Sequence, residues 1–238
     1  MGKFHEKKVT HVGEVSLNVM DLDRSIAFYR ETIGLKVLSR SDAHAVLTAD
    51  GAKPLLTLAQ PPGVKPKEKG TTGLYHFAIL LPTRADLSAF LRHLLQRRVP
   101  FGASDHYVSE ALYLNDPDGN GIEVYRDRPD EEWTWSNGEV NMDTVPLDGE
   151  SLLKETDAPW TGMPADACIG HIHLHVADLR QAEMFYIAGL GADIVLHYYN
   201  ALFTSYGGYH PHIGLNTWNG AGAPQPAKNS VGLNWYTL

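Results

Sequence analysis

One stretch of this chain is written twice, and that repeat constrains the fold more than any other feature. From position 14 the order is Glu14-Val-Ser-Leu-Asn-Val-Met-Asp21-Leu22, followed by Phe28-Tyr29 and Gly34. From position 171 it is His171-Ile-His-Leu-His-Val-Ala-Asp178-Leu179, followed by Phe185-Tyr186 and Gly191. Every landmark recurs at a constant offset of 157 residues. The expectation is two copies of a supersecondary unit, not a solenoid of short repeats. The copies differ where chemistry would sit: Glu14 in the first corresponds to His171 in the second.

Within the first copy, Glu14, Ser16 and Asn18 alternate with Val15, Leu17 and Val19, the period of a strand with one apolar face. Asp21 is placed to cap a helix on which Leu22, Ile26 and Tyr29 recur at helical spacing, and Gly34 ends it. Short strands are expected over 36–38, 45–48 and 55–59, giving the order strand, helix, three strands. The same order returns from Leu74, with a strand over 75–81, a helix over 85–97, and strands over 111–114 and 121–125. The turn Asp116-Pro-Asp-Gly-Asn-Gly lies between the last two. A third unit runs from Ile169 to about Trp218, and a fourth opens at Val231. Residues 127–167 carry acids and four prolines with little periodicity, and are expected to be a linker. The domain expectation is therefore 9–126, then the linker 127–167, then 168–238. The last unit is expected to be incomplete, either through truncation or because another subunit supplies its missing strands.

Composition excludes several classes. A net charge of −8, with no basic run long enough to follow phosphates, argues against a nucleic-acid partner. No apolar run approaches a membrane span, and the N-terminal residues lack a signal-peptide core. The single cysteine, Cys168, has no internal disulfide partner and points to a reducing, cytoplasmic setting.

The paired strand–helix–three-strand units, the Asp-Leu…Phe-Tyr…Gly signature and the run Tyr113-Leu-Asn-Asp-Pro117-Asp-Gly119-Asn-Gly-Ile-Glu123 resemble the vicinal oxygen chelate superfamily. This is the superfamily of glyoxalases, bleomycin resistance proteins and extradiol dioxygenases. The stretches 73–82, 108–113 and 170–175 are most similar to its catechol 2,3-dioxygenase branch. The resemblance implies an α+β fold of paired βαβββ modules, forming cup-shaped mixed sheets with helices outside. It also implies metal ligands on the first strand of each module and on the last strand of the second. Residue by residue, those positions are Glu14, His76 and Glu123.

Each has a second reading. Glu123 could pair with Arg126 or meet solvent, His76 could be a satisfied core histidine, and Glu14 could face water. Tyr113 matches a tyrosine that contacts the substrate hydroxyl in ring-cleaving members, though a core aromatic fits as well. His106 could act as an acid or base lining the cup, or sit in a turn. In the second half, His171, His173 and His175 project from one strand face, and His210 and His212 share another. His171 matches a ligand position there, but the next falls at Leu233, which cannot ligate. That leaves His171, His173 and His212 as an alternative metal set.

The resemblance implies a divalent metal, Fe(II) first with Mn(II) or Zn(II) as competitors. The implied partners are a small aromatic diol and dioxygen, and the implied chemistry is extradiol ring cleavage. A homodimer stays open. Two other readings stand beside it. One is a redox-neutral glyoxalase-type isomerase or lyase, for which Thr57 stands where a further carboxylate is needed. The other is a non-catalytic module that binds a planar aromatic ligand.

Overall fold

The computed structural model describes residues 3–6 and 8–238. The first unit comprises β1 (Val15–Asn18), α1 (Leu22–Phe28), β2 (Lys36–Arg40), β3 (His44–Thr48) and β4 (Leu56–Ala59). The Asp21 carboxylate accepts from the Arg24 amide at 2.9 Å and so caps α1. A single π-turn, Tyr29–Ile33, extends this helix, and Gly34 stops it in the left-handed region at φ 90°. The second unit is β5 (Gly73–Leu80), α2 (Arg84–Arg97), β6 (Gly102–Asp105), β7 (Ser109–Asn115) and β8 (Gly121–Asp127). A capping box between Thr83 and Asp86 starts α2.

The expected linker is not featureless. It contains β9 (Trp135–Ser136), β10 (Glu139–Val140), β11 (Val145–Pro146) and α3 (Gly149–Leu153). It holds the second unit by both polar and apolar contacts. Strand β11 pairs with β6, and Arg92 of α2 donates to the carbonyls of Leu153 and Thr156 at 2.8 and 2.9 Å. Leu152 and Met163 join the main core, and the Trp160 ring packs 5.0 Å from that of Phe90. The third unit is β12 (Cys168–His175), α4 (Leu179–Glu183), β13 (Asp193–Tyr198), β14 (Ala201–Ser205) and β15 (Ile213–Asn216). The fourth contributes β16 (Gly232–Tyr236).

The strands form two large mixed sheets, an α+β architecture as expected, but they group differently from the expected domains. A nine-stranded sheet runs β11-β6-β7-β8-β5-β12-β15-β14-β13, so the second unit closes against the third. A five-stranded sheet runs β16-β1-β4-β3-β2, so the first unit pairs with the fourth. In both sheets the first strands of two units meet antiparallel, β5 with β12 and β1 with β16. The physical reason for the difference is that the opening strands carry similar alternating patterns. Exchanging partners therefore buries the same apolar faces. One continuous core joins Leu17 and Tyr29 of the first unit to Phe77, Leu94, Ile172 and Ile213 of the second and third.

Two bulges mark the β5–β12 seam. Ile169 pairs with Ile79 and His171 with Ala78, leaving Gly170 as the extra residue on β12. Further along, His173 pairs with His76 and Leu174 with Leu74, leaving Tyr75 as the extra residue on β5. Such insertions bend a strand and re-aim side chains.

Candidate metal centre

The triad arises from three neighbouring strands at the centre of the large sheet. Ala78 on β5 is flanked by Glu123 on β8 and His171 on β12, and His76 lies two residues along the same face of β5. Ala78 is small and fully buried, so the larger side chains meet over it. The Nε2 atoms of His76 and His171 approach Oε2 of Glu123 at 3.1 and 3.0 Å, and lie 3.3 Å from each other. All three side chains are buried, and their donor atoms fall within 4.8 Å of one another.

Two glycines make this approach possible. A Cβ at Gly121 would lie 2.2 Å from the Tyr75 carbonyl and 3.1 Å from the His76 Cβ. A Cβ at Gly170 would lie 1.9 Å from the Tyr125 hydroxyl. The turn leading into β8 is held by Asp116, which accepts from the amides of Asp118 and Asn120 and from the Tyr29 hydroxyl at 3.0 Å. The Phe-Tyr signature of the first unit thus reaches the strand that carries Glu123.

The protonation states suit ligation. Burial alone would raise the Glu123 carboxyl, but the charge and hydrogen bonds of His171 and His76 hold it well below the usual carboxylate range. Burial lowers His76, against the pull of Glu123, and favours the neutral ring. A divalent cation fits this donor set. Two imidazole nitrogens crowd one carboxylate oxygen, and among the described residues the buried Nδ1 of His171 has no partner.

The other expected residues divide into two groups. Tyr113 lies directly across from Glu123 on β7, and His106 follows β6; both line the same cleft of about 240 Å³. His106 Nδ1 donates to the Asp143 carbonyl at 2.7 Å, so its Nε2 is free to accept from the Tyr113 hydroxyl at 2.6 Å. Burial and the nearby Glu123 charge raise the Tyr113 hydroxyl well above its usual range, keeping it protonated. Glu14 does not join His76 and Glu123. It lies just before β1 of the five-stranded sheet and accepts from the Thr57 hydroxyl at 2.6 Å. The pairing of the second unit with the third puts His171 in its place.

The alternative set is likewise split. His171 is in the triad and His173 lines the cleft beside it, where its Nε2 accepts from Asn216 Nδ2 at 2.9 Å. His212 lies elsewhere, donating to the Phe4 carbonyl at 3.2 Å and accepting from the Tyr206 amide. The sequence reading missed Trp218 and Phe203, whose rings pack 5.3 and 5.4 Å from that of His173. With Tyr75 they form an aromatic wall to the cleft. The signal that could have found the triad was the repeat itself, which places His171 in register with Glu14.

A profile of the Glyoxalase/Bleomycin resistance protein/Dioxygenase superfamily matches residues 8–124. A catechol-2,3-dioxygenase from Bacillus subtilis (strain 168) is 49% identical over 243 residues, covering 100% of this chain and 85% of its own length. Biphenyl-2,3-diol 1,2-dioxygenase 3 from Rhodococcus globerulus is 31% identical over 139 residues, or 54% of this chain and 72% of its own. A mutant of glyoxalase I from Zea mays superposes with a TM-score of 0.54 at 19% identity, covering 87% of this chain and 69% of the other. At that identity the likeness concerns the fold alone.

Proposed function

The chain belongs to the glyoxalase/bleomycin resistance protein/dioxygenase superfamily, and on that premise we propose that it is an extradiol, catechol 2,3-dioxygenase-like oxidoreductase. It opens the ring of a catechol-like diol beside the hydroxyls, using dioxygen. The observation that carries this reading is the donor set His76, Glu123 and His171. Two imidazoles and one carboxylate, with other positions open, are the set used by non-haem Fe(II) oxygenases. With one acid, a divalent ion keeps net positive charge and suits a catecholate. The pair of acids expected from the sequence would have left none.

When bound, Fe(II), or Mn(II) or Zn(II) in competition, would supply Lewis acidity toward the diol oxygens, and Fe(II) would add redox capacity. The protein's own groups do the rest. The Tyr113 hydroxyl donates its hydrogen bond to His106 Nε2, leaving its oxygen lone pairs free to accept from a substrate hydroxyl. His106, held by the Asp143 carbonyl through Nδ1, presents Nε2 as the acceptor behind it. Tyr75, Phe203 and Trp218 hold the ring plane and exclude water from one side. Asn216 fixes His173 with its proton on Nδ1, by donating to Nε2 while accepting from His175 at 2.7 Å.

Among the described residues, the side chains lining the cleft include no lysine or arginine, whereas Glu123 and Asp143 both face it. Neutral diols are therefore the favoured substrates. A cytoplasmic setting agrees with Cys168, which is buried and unpaired. Among the described residues, no helix is long and apolar enough to cross a membrane.

Anaerobically Fe(II)-loaded protein should consume oxygen with catechol and release a yellow ring-opened product. No oxygen uptake with any catechol would end the dioxygenase reading. Equal turnover of catechol and 3,4-dihydroxybenzoate would end the preference for neutral rings.

A further inference from the structure

We propose that His5 is a positioning residue for His171, acting through the bulge at Gly170. This inference rests on the metal-site reading. Along an unbroken strand, residues 169, 171 and 173 would share one face and 168 the other. The structure departs from that alternation. Cys168 packs with Ala78, Leu80, Ala111 and Tyr125, which continue the cleft face of their strands. Ile169 instead packs with Ile172 and Leu174 in the main core. The extra residue at 170 therefore switches the parity of β12, and it does so one residue before the ligand. Remove the bulge and His171 cannot face the cleft while Ile169 stays in the core.

Two groups hold that bulge from different sides. The Tyr125 ring fills the space a side chain at 170 would need. His5, from the N-terminal segment, donates its Nε2 proton to the Gly170 carbonyl at 3.0 Å. A bulged residue leaves ladder groups to be satisfied elsewhere, and this bond supplies a partner in a buried place. The His5 side chain is almost fully buried, and among the described residues its Nδ1 has no partner, so the Gly170 bond is its polar anchor. Its ring meets Tyr209 edge-on at 4.8 Å and His212 at 5.3 Å. The neighbouring Phe4 stacks on Trp133 at 5.4 Å. The segment is thus pinned against the sheet by packing, and His5 contributes a directional contact to the ligand strand.

The test compares His5→Gln with His5→Asn and His5→Leu. The glutamine amide reaches about as far as Nε2, whereas the asparagine amide matches Nδ1 and falls short. Co(II) binding is followed by its visible absorption, and amide exchange over 168–171 is followed in metal-free protein. His5→Asn and His5→Leu should bind Co(II) roughly 10- to 100-fold more weakly, the usual effect of losing a group that orients a ligand. They should also exchange those amides at least tenfold faster, and His5→Gln should restore both. Wild-type Co(II) affinity and spectrum in His5→Asn would overturn the proposal. So would equal impairment of all three variants with parallel losses of thermal stability, since packing alone would then explain them. Should His5→Leu fail to fold, the Gln–Asn pair decides. His76→Ala serves as the control. If it binds Co(II) as the wild type does, the metal-site reading fails, whereas failure of His5→Asn to weaken binding removes the His5 proposal alone.

Discussion

Replacing Glu123 with glutamine tests the centre most directly, because it changes charge while nearly conserving shape. Oε2 of Glu123 lies within 3.1 Å of both imidazole Nε2 atoms, and the residue is 2% exposed. Breaking a buried charge pair by removing one partner typically costs about 3–5 kcal/mol. At about 1.4 kcal/mol per decade, that is a loss of metal affinity of roughly a hundred- to four-thousand-fold. The metal-free protein should change far less. Burial already favours neutral His76, so the ring needs no counter-charge, and the amide keeps a hydrogen-bonding oxygen. Metal at a hundred times the wild-type Kd should stabilise the wild type by about 2.7 kcal/mol, and Glu123→Gln by almost nothing. Anaerobic Fe(II) titration against a chromophoric chelator, with thermal unfolding with and without metal, measures both quantities. Stoichiometric binding at wild-type affinity by Glu123→Gln would refute the donor assignment. Loss of the ion from Glu14→Gln instead would move the site to the other sheet.

Three further outcomes are expected. Tyr113→Phe removes the hydroxyl that donates to His106 and should lower kcat by about 10²- to 10⁴-fold with unchanged metal affinity; steady-state oxygen uptake beside a metal titration checks the split. Gly121→Ala places a Cβ 2.2 Å from the backbone carbonyl of Tyr75. That group cannot rotate away, so stability should fall by about 1–3 kcal/mol or more and metal affinity with it, as read by urea unfolding and titration. Burial, with the nearby His5, lowers His212 from 6.5 to about 3. The unfolded chain then binds the extra proton between those values. The stability this histidine contributes is present above pH 6.5 and is lost as pH falls toward 3, by up to about 1.4 kcal/mol per pH unit. His212→Gln should flatten the slope of unfolding free energy against pH in that window by one proton; an unchanged slope would contradict it.

Much of this architecture was legible in the sequence. Alternation in 14–19 and 171–176, the capping aspartates, and the Asp116–Gly121 turn each express local physics, because strand period, helix capping and turn geometry depend on residues a few positions apart. The same locality placed His76 and Glu123 on strands of the right kind, and Tyr113 ten residues before Glu123. The third ligand was different in nature. Glu14 and His171 occupy equivalent positions in two copies of one pattern, and choosing between them means knowing which unit packs against the second.

That choice belongs to the tertiary structure. Closing the chain between His76 and His171, 95 residues apart, is entropically almost as easy as closing it onto Glu14. Loop-closure entropy grows only with the logarithm of length, so the difference is a few tenths of a kcal/mol. Edge matching and core packing between whole units decide instead, and they join β5 to β12. The bulges at Gly170 and Tyr75 lie equally beyond a sequence reading. A one-residue parity shift leaves no mark on local periodicity until a partner strand, the Tyr125 ring and the His5 side chain are all in place around it.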